Sequence, residues 1–128
     1  MTTQDTSSAI VLFAHGSRDP NWRLPFESIL MDLKAHYAGP CALAFLENMQ
    51  PSLDEAIGEV AQLGATHVQV IPLFLAVGGH LRKDLPVLLE QAKSLYQSLT
   101  INVCEAAGEN NTVQKALVNF ALDQVNRT

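Results

Sequence analysis

The sequence predicts an α/β fold: a single three-layer (βα)4 domain with a four-stranded parallel sheet of flavodoxin-like order. Short apolar runs alternate with amphipathic helical patterns along the chain, and strands that alternate with helices form parallel sheets covered on both faces. Of the 128 residues, 48% are hydrophobic and 16% are charged, which suffices for one buried core. We expect a flexible N-terminal tail over residues 1–8 and a single domain over residues 9–128.

The first half of the chain predicts two strands, each followed by a helix. Residues 9–14 (AIVLFA) are continuously apolar, as in a strand that is buried on both faces. Asp19-Pro20 has the residue types that begin a helix, and Gly39-Pro40 those that end one. Residues 41–46 (CALAFL) predict the second strand, and Pro51-Ser52 begins the second helix.

The second half repeats this alternation. Residues 66–75 contain the third strand, and Asp84 is the predicted cap of the third helix. Residues 101–106 predict the fourth strand, and Asn110 or Asn111 caps a final amphipathic helix.

Several classes of function are disfavoured by composition. No apolar run approaches the roughly 20 residues that cross a bilayer, and residues 1–8 lack the features of an export signal, so we expect a cytoplasmic protein without membrane contact. Cys41 and Cys104 fall in predicted strands and are expected to be reduced and buried. The formal net charge is −5 and the longest basic stretch is Arg82-Lys83, which argues against nucleic-acid binding.

Three chemically active side chains follow three different strands. In open α/β sheets, ligands bind beyond the carboxyl ends of the strands, where the strand order reverses. With the order 2-1-3-4, that edge carries His15 after the first strand, Glu47 after the second, and the loop Gly78-Gly79-His80 after the third. We expect the two histidines and the carboxylate to converge there.

Two imidazoles and one carboxylate suit a divalent ion such as Zn²⁺, Fe²⁺, Co²⁺ or Ni²⁺, and three protein ligands leave coordination positions open. The same histidines can also accept protons near neutral pH. The alternative for each residue is structural, with Gly78-Gly79 forming only a turn.

Four basic residues lie close in the sequence to the residues that form this edge, and we call them the cationic rim. Arg18, Arg23, Arg82 and Lys83 are half of the eight basic residues, and they either bind a ligand with several acidic groups or remain solvated. Ser17 either donates a hydrogen bond to the ligand or shapes the turn. Nucleotide-binding glycine motifs (GxGxxG or GxxxxGK[ST]) are not present in the sequence.

Three segments of the sequence resemble one enzyme family. "FAHGSRDP", "AFLENMQPSLDEAI" and "VIPLFLAVGGHLRKDLP" are similar to the small, single-domain sirohydrochlorin chelatases of the class II chelatase family. The resemblance runs in order from about Ile10 to the final helix, and the segments around His15 and His80 are the most specific. It implies a chelatase-like fold.

The resemblance also implies the reaction. Members insert Co²⁺, or in relatives Fe²⁺ or Ni²⁺, into the tetrapyrrole sirohydrochlorin without a nucleotide cofactor. By this likeness His15 and His80 are the metal-handling histidines and Glu47 is their acidic partner. Substrate carboxylates would be bound by loop and rim residues: Ser17, Arg18, Gly78, Gly79, Arg82 and Lys83. A one-copy chain is implied to form a homodimer.

Co²⁺ insertion into sirohydrochlorin, in tetrapyrrole biosynthesis of the cobalamin or siroheme type, is the function we expect. Siroheme ferrochelatase and nickel chelatase activities fit the same residues, because metal choice depends on geometry and supply as well as on ligand type. A non-catalytic metal or tetrapyrrole carrier and a plain flavodoxin-like interaction module remain as alternatives. Either histidine fits the role of proton acceptor.

Overall fold

The structure of the chain is a computed structural model that describes residues 7–127. In chain order the elements are β1 (Ser8–Ala14), a 3-10 turn (Pro20–Trp22), α1 (Arg23–His36), β2 (Cys41–Phe45), α2 (Leu53–Gln62), β3 (His67–Pro72), α3 (Gly79–Leu95), β4 (Thr100–Val103), a second 3-10 turn (Ala107–Glu109) and α4 (Asn111–Val125). The strands form one parallel sheet in the order β2-β1-β3-β4. The predicted α/β class, strand order and element order are confirmed.

Hydrophobic side chains pack on both faces of the sheet. Val11 and Phe13 of β1 belong to the larger core, which α2 and α3 cover. Leu12 and Ala14 point to the opposite face and pack against β2 and α1. This alternation follows from the two-residue period of a strand. Every residue of β2 is buried, as the continuous apolar run predicts.

The carboxyl ends of β1, β2 and β3 lie at one edge of the sheet. The hydrogen bonding between these strands continues into the loops that follow them. Ala14 lies opposite Phe45 and Phe13 lies opposite Pro72. One residue further on, Leu46 N–H donates to the Ala14 carbonyl at 2.8 Å, and Leu73 N–H donates to the Phe13 carbonyl at 2.7 Å. The residues that follow β1, β2 and β3 therefore emerge side by side.

The start of α3 differs from the prediction. The helix begins at Gly79, with Gly78 as its N-cap residue, so Asp84 lies inside the helix rather than at its cap. Leu81 explains the earlier start, because it is buried in the larger core and extends the apolar stripe of Leu85 and Leu88 by one turn. His80 therefore lies in the first turn of a helix and not in a loop.

Two smaller corrections concern the cap formed by Asp19 and the first residue of β1. Asp19 caps the 3-10 turn before α1, where its carboxylate accepts from Asn21 N–H at 2.9 Å. The last two residues of the predicted flexible tail are ordered: Ser8 begins β1 and pairs with His67, and the Ser7 carbonyl accepts from Thr66 N–H and His67 N–H. Residues 1–6 of that tail lie outside the described residues. The N-cap role of Asn110 is confirmed.

The two cysteines differ in exposure. Cys41 is buried as predicted, whereas Cys104 is exposed because β4 already ends at Val103. Partial burial nevertheless raises the pKa of both thiols. Within residues 7–127 no helix is both long and apolar enough to cross a membrane.

The final helix packs differently from the other three. Like α1, α4 has no fully buried residue, but α1 packs Phe26, Leu30 and Leu33 against the smaller core, whereas no residue of α4 joins either core. The 3-10 turn directly before it is the element that α4 chiefly packs against. The face of the sheet that α1 covers therefore lacks a second helix within the described chain.

The α2 cap offers a test of local stability. Ser52 and Glu55 form a capping box, with Glu55 N–H donating to Ser52 Oγ at 3.2 Å and Ser52 N–H donating to Glu55 Oε1 at 2.8 Å. We expect Ser52→Ala to lower the free energy of unfolding by about 1 kcal/mol in urea denaturation. Ser94→Ala, on the exposed side of α3, is the control and should change it by less than about 0.5 kcal/mol. An equal effect of both substitutions would contradict the capping role.

Candidate functional site

His15 directly follows β1, and two contacts hold it in place. Its ring packs against Phe74, with ring centroids 4.5 Å apart, and Phe74 is buried against Phe13 in the core. Trp22 Nε1–H donates to the His15 carbonyl at 2.7 Å. Half of the His15 side chain remains exposed, so the ring is supported on one side and accessible on the other.

Gly16 brings the loop after β1 against the loop after β2. A Cβ atom at position 16 would overlap the carbonyl oxygen of Glu47. Only glycine leaves room for this approach of the two backbones. The neighbouring Asn48 has a positive φ of 62°, a conformation that asparagine tolerates better than most residues. Together these residues place Glu47 beside His15.

The loop that carries Glu47 is also held from α1. Arg23 donates from Nη2 to the Gln50 carbonyl at 3.0 Å, and its guanidinium lies over the Phe45 ring at 5.3 Å. Its Nε lies 3.5 Å from a Glu27 carboxylate oxygen. Arg23, one of the four cations of the predicted rim, thus connects α1 to the Glu47 loop.

His15 and Glu47 form a polar pair at the carboxyl edge. Nδ1 of His15 lies 3.6 Å from Oε1 of Glu47, within ion-pair distance and slightly beyond hydrogen-bond distance. A carboxylate at Nδ1 favours a proton on that nitrogen and leaves Nε2 available to bind a metal ion. In the part of the chain that the structure describes, Nε2 has no hydrogen-bond partner.

His80 lies apart from this pair. It is exposed in the first turn of α3, and among residues 7–127 no three His, Cys, Asp or Glu side chains lie together in a group that could hold a metal ion. The structure thus brings together two members of the predicted set of three. The roles predicted for all three residues stay predictions.

The cationic rim is accessible. Arg18, Arg82 and Lys83 are exposed, and none of them forms an ion pair with a carboxylate among the described residues. Arg82 also makes a long hydrogen bond, 3.4 Å, to the Val77 carbonyl. It lines a groove of about 570 Å³ between α3 and the end of β4.

Ser17 and the glycine pair have different local environments. Ser17 Oγ accepts from Asp19 N–H at 3.1 Å, so its hydroxyl shapes the turn. Gly78 and Gly79 have open space around them, because a Cβ atom added to either would meet no atom within 4 Å. Binding of substrate by these three residues stays a prediction.

Phe74 and Gly108 are contributors that sequence reasoning missed. Phe74 supports the His15 ring, and a Cβ at Gly108 would overlap the Leu75 carbonyl. Gly108 N–H also donates to the Phe74 carbonyl at 2.9 Å. The loop before α4 is therefore pressed against the loop that leads to His80. The sequence signal for Phe74 is an aromatic residue two positions after the end of β3, which is equally typical of an ordinary core residue.

The comparisons with known proteins agree on one protein family. The model of the CbiX family matches residues 9–123. The chain is 31% identical over 116 residues to a sirohydrochlorin ferrochelatase of Bacillus subtilis, covering 90% of this chain and 44% of that protein. It is 28% identical over 127 residues to a sirohydrochlorin cobaltochelatase of Saccharolobus solfataricus, covering 92% of this chain and 96% of that protein. The chain thus spans less than half of the first relative and nearly all of the second.

Two solved structures are similar as well. One is a putative cobalamin biosynthesis CbiX protein from Marinobacter aquaeolei, with a TM-score of 0.85, 32% identity, and coverage of 94% of this chain and 99% of that one. The other is the sirohydrochlorin chelatase SirB from Bacillus subtilis subspecies spizizenii in complex with cobalt. Its TM-score is 0.77 and its identity 31%, with coverage of 91% of this chain and 50% of that one.

The contact at Gly16 gives a second test. We expect Gly16→Ala to lower the free energy of unfolding by about 1–3 kcal/mol, because the added methyl forces the two loops apart. Gly79→Ala is the matched control, since its Cβ meets no atom within 4 Å, and it should change stability by less than about 0.5 kcal/mol. Equal stability of Gly16→Ala and the wild type in urea denaturation would show that the loops do not meet there.

Proposed function

The chain belongs to the CbiX family, and from that premise we propose that it is a metal chelatase that inserts Co²⁺ into sirohydrochlorin. The observation that carries the proposal is the His15–Glu47 pair, held at the carboxyl edge of the sheet with an accessible imidazole. Relatives named for both cobalt and iron insertion support the reaction. Co²⁺ is favoured because the cobaltochelatase relative is matched over 96% of its length.

Metal insertion replaces two pyrrole protons of the tetrapyrrole with one divalent ion. In our proposal Nε2 of His15 first binds the incoming ion, as a neutral imidazole does. Once the ion has passed to the pyrrole nitrogens, the same Nε2 accepts one of the released protons. The Glu47 carboxylate, 3.6 Å from Nδ1, then faces an imidazolium and stabilises its charge. The second proton leaves to His80 or to water.

His80 is the second nitrogen donor in this proposal. Gly78 and Gly79 precede it and have open space around them, which leaves the start of α3 room to approach the ion. The unpaired cations Arg18, Arg82 and Lys83 would bind the carboxylates of the tetrapyrrole, and this explains how an acidic protein attracts an acidic substrate.

We also propose that the protein acts as a homodimer and without a nucleotide. The chain spans about half of the SirB chain, so two copies of this chain together match the SirB chain in length. The cytoplasmic location predicted from the sequence stays a prediction.

An anaerobic assay tests the reaction. Purified protein at a concentration well below that of sirohydrochlorin is mixed with Co²⁺, Fe²⁺ or Ni²⁺ and no nucleotide, and metallation is followed by absorbance. We expect several metallated products per chain and the highest initial rate with Co²⁺. Rates equal to the protein-free control would overturn the chelatase, and a single turnover per chain would indicate a carrier. A faster rate with Fe²⁺ would reassign the metal.

Histidine variants test the site. We expect His15→Ala and His80→Ala each to lower the rate of Co²⁺ insertion by roughly 100-fold, the usual scale for a lost proton-transfer group. His67→Ala is the control, because His67 is exposed at the start of β3, on the opposite edge of the sheet. A wild-type rate in His80→Ala would remove His80 from the mechanism while leaving His15 in it.

Charge reversal tests the rim. We expect Lys83→Glu to raise the KM for sirohydrochlorin several-fold and to leave kcat nearly unchanged, because an exposed cation contributes to binding and not to the chemical step. Lys34→Glu, in the last turn of α1, changes the net charge equally and should leave KM unaltered. Equal KM increases in both variants would show a general charge effect instead of a local rim.

A further inference from the structure

Trp22 is the single tryptophan of the chain, and it lies exposed beside the candidate site. It belongs to the 3-10 turn that follows the His15 loop, and 41% of its surface is accessible. The rings of Phe13, Phe45 and Phe74, by contrast, are buried. Tryptophan is enriched at binding surfaces, because the indole combines a large apolar area with one polar group.

Two contacts fix the indole in this exposed position. Its Nε1–H donates to the His15 carbonyl at 2.7 Å, so the indole is tied to the residue proposed to bind the metal ion. Its ring meets the Phe26 ring at a centroid distance of 5.6 Å, and Phe26 packs edge-on against the buried Phe45 ring at 6.1 Å. The indole is therefore supported by a row of two rings and held beside His15 without being buried.

Leu75 adds apolar surface near the His15 ring. It directly follows Phe74, whose ring packs against the imidazole with centroids 4.5 Å apart, and its exposed fraction is 71%. The backbone of Leu75 is held in place, because its carbonyl lies against Gly108. The accessible imidazole thus has one exposed apolar residue at its backbone, Trp22, and another next to the ring that supports it.

The cationic rim completes the chemistry of this edge. Arg18, Arg82 and Lys83 are exposed and form no ion pair with a carboxylate among the described residues. A ligand that suits both the apolar residues and these cations is flat and apolar on its face and acidic at its periphery. A conjugated tetrapyrrole with carboxylate side chains has this distribution, whereas a metal ion alone would make no use of the indole.

We propose that Trp22 is a substrate-binding residue whose indole stacks on the conjugated face of the tetrapyrrole, with Leu75 providing further apolar contact. This inference rests on the proposed function, because it assigns the residue that binds the face of the same substrate. Since the indole is hydrogen-bonded to the His15 backbone, a macrocycle stacked on it extends over the adjacent imidazole. Trp22 therefore orients the macrocycle for metal transfer and takes no part in proton transfer.

Equilibrium binding of metal-free sirohydrochlorin, followed anaerobically by its visible absorbance, is the first measurement. We expect Trp22→Leu to raise the Kd roughly tenfold, the usual scale for the loss of one aromatic stacking partner. Trp22→Phe keeps a ring but loses the N–H donor, and it should raise the Kd by less than about threefold. Leu63→Ala is the control, because Leu63 is 65% exposed at the end of α2, on the opposite edge of the sheet. It should leave the Kd unchanged.

The two Trp22 variants separate stacking from the hydrogen bond to His15. Equal weakening by Trp22→Phe and Trp22→Leu would assign the effect to the N–H donor and would overturn the stacking. A wild-type Kd in Trp22→Leu would overturn the inference and leave the chelatase function standing. Failure of the wild-type protein to bind sirohydrochlorin at all would overturn both.

Fluorine NMR tests the contact without any substitution at Trp22. Because the chain has one tryptophan, protein labelled with fluorotryptophan gives a single indole resonance. A conjugated macrocycle shields nuclei that lie over its face, so we expect this resonance to move upfield when sirohydrochlorin is added. Saturation of the absorbance change with no movement of the fluorine resonance would show that the macrocycle binds away from Trp22. Neither experiment contains a metal ion, so neither result depends on which metal is inserted.

Discussion

The contact between the backbones of Gly16 and Glu47 is the constraint on which the site depends. β1 and β2 are neighbours in the sheet, and their hydrogen bonding continues past the strands through Leu46 N–H and the Ala14 carbonyl. The loops therefore leave the sheet already side by side, and a glycine is needed for them to remain so. The pairing of His15 with Glu47 follows from this approach rather than from any strong attraction between the two side chains.

Most of the fold could be predicted from the sequence because its signals are local. The apolar runs of β1 and β2 and the cap residues Ser52 and Asn110 act within a few residues of where they appear. The start of α3 could not be predicted in the same way, because Asp84 has the residue type of a cap but Leu81 is buried by contacts with distant elements. Tertiary packing outweighed the local signal there.

The candidate site also combines residues that local signals predict with residues whose roles depend on contacts between distant elements. His15 and Glu47 could be predicted because parallel strands end at a common edge. The structural role of Arg23 could not, since its partners are Gln50 and Phe45, in another element, and its charge resembled that of a rim residue. The place of His80 depends on where α3 begins, and tertiary packing rather than the local cap signal decides that helix start.

The support of the His15 ring links the site to the deepest part of the molecule. Phe13, fully buried in the larger core, meets Phe74 at a centroid distance of 5.9 Å, and Phe74 meets His15 at 4.5 Å. One intervening ring thus separates the accessible imidazole from the centre of the sheet. A smaller side chain at position 13 would allow the Phe74 ring to shift into the core. The His15 imidazole would then tilt, although no group at the surface had been changed.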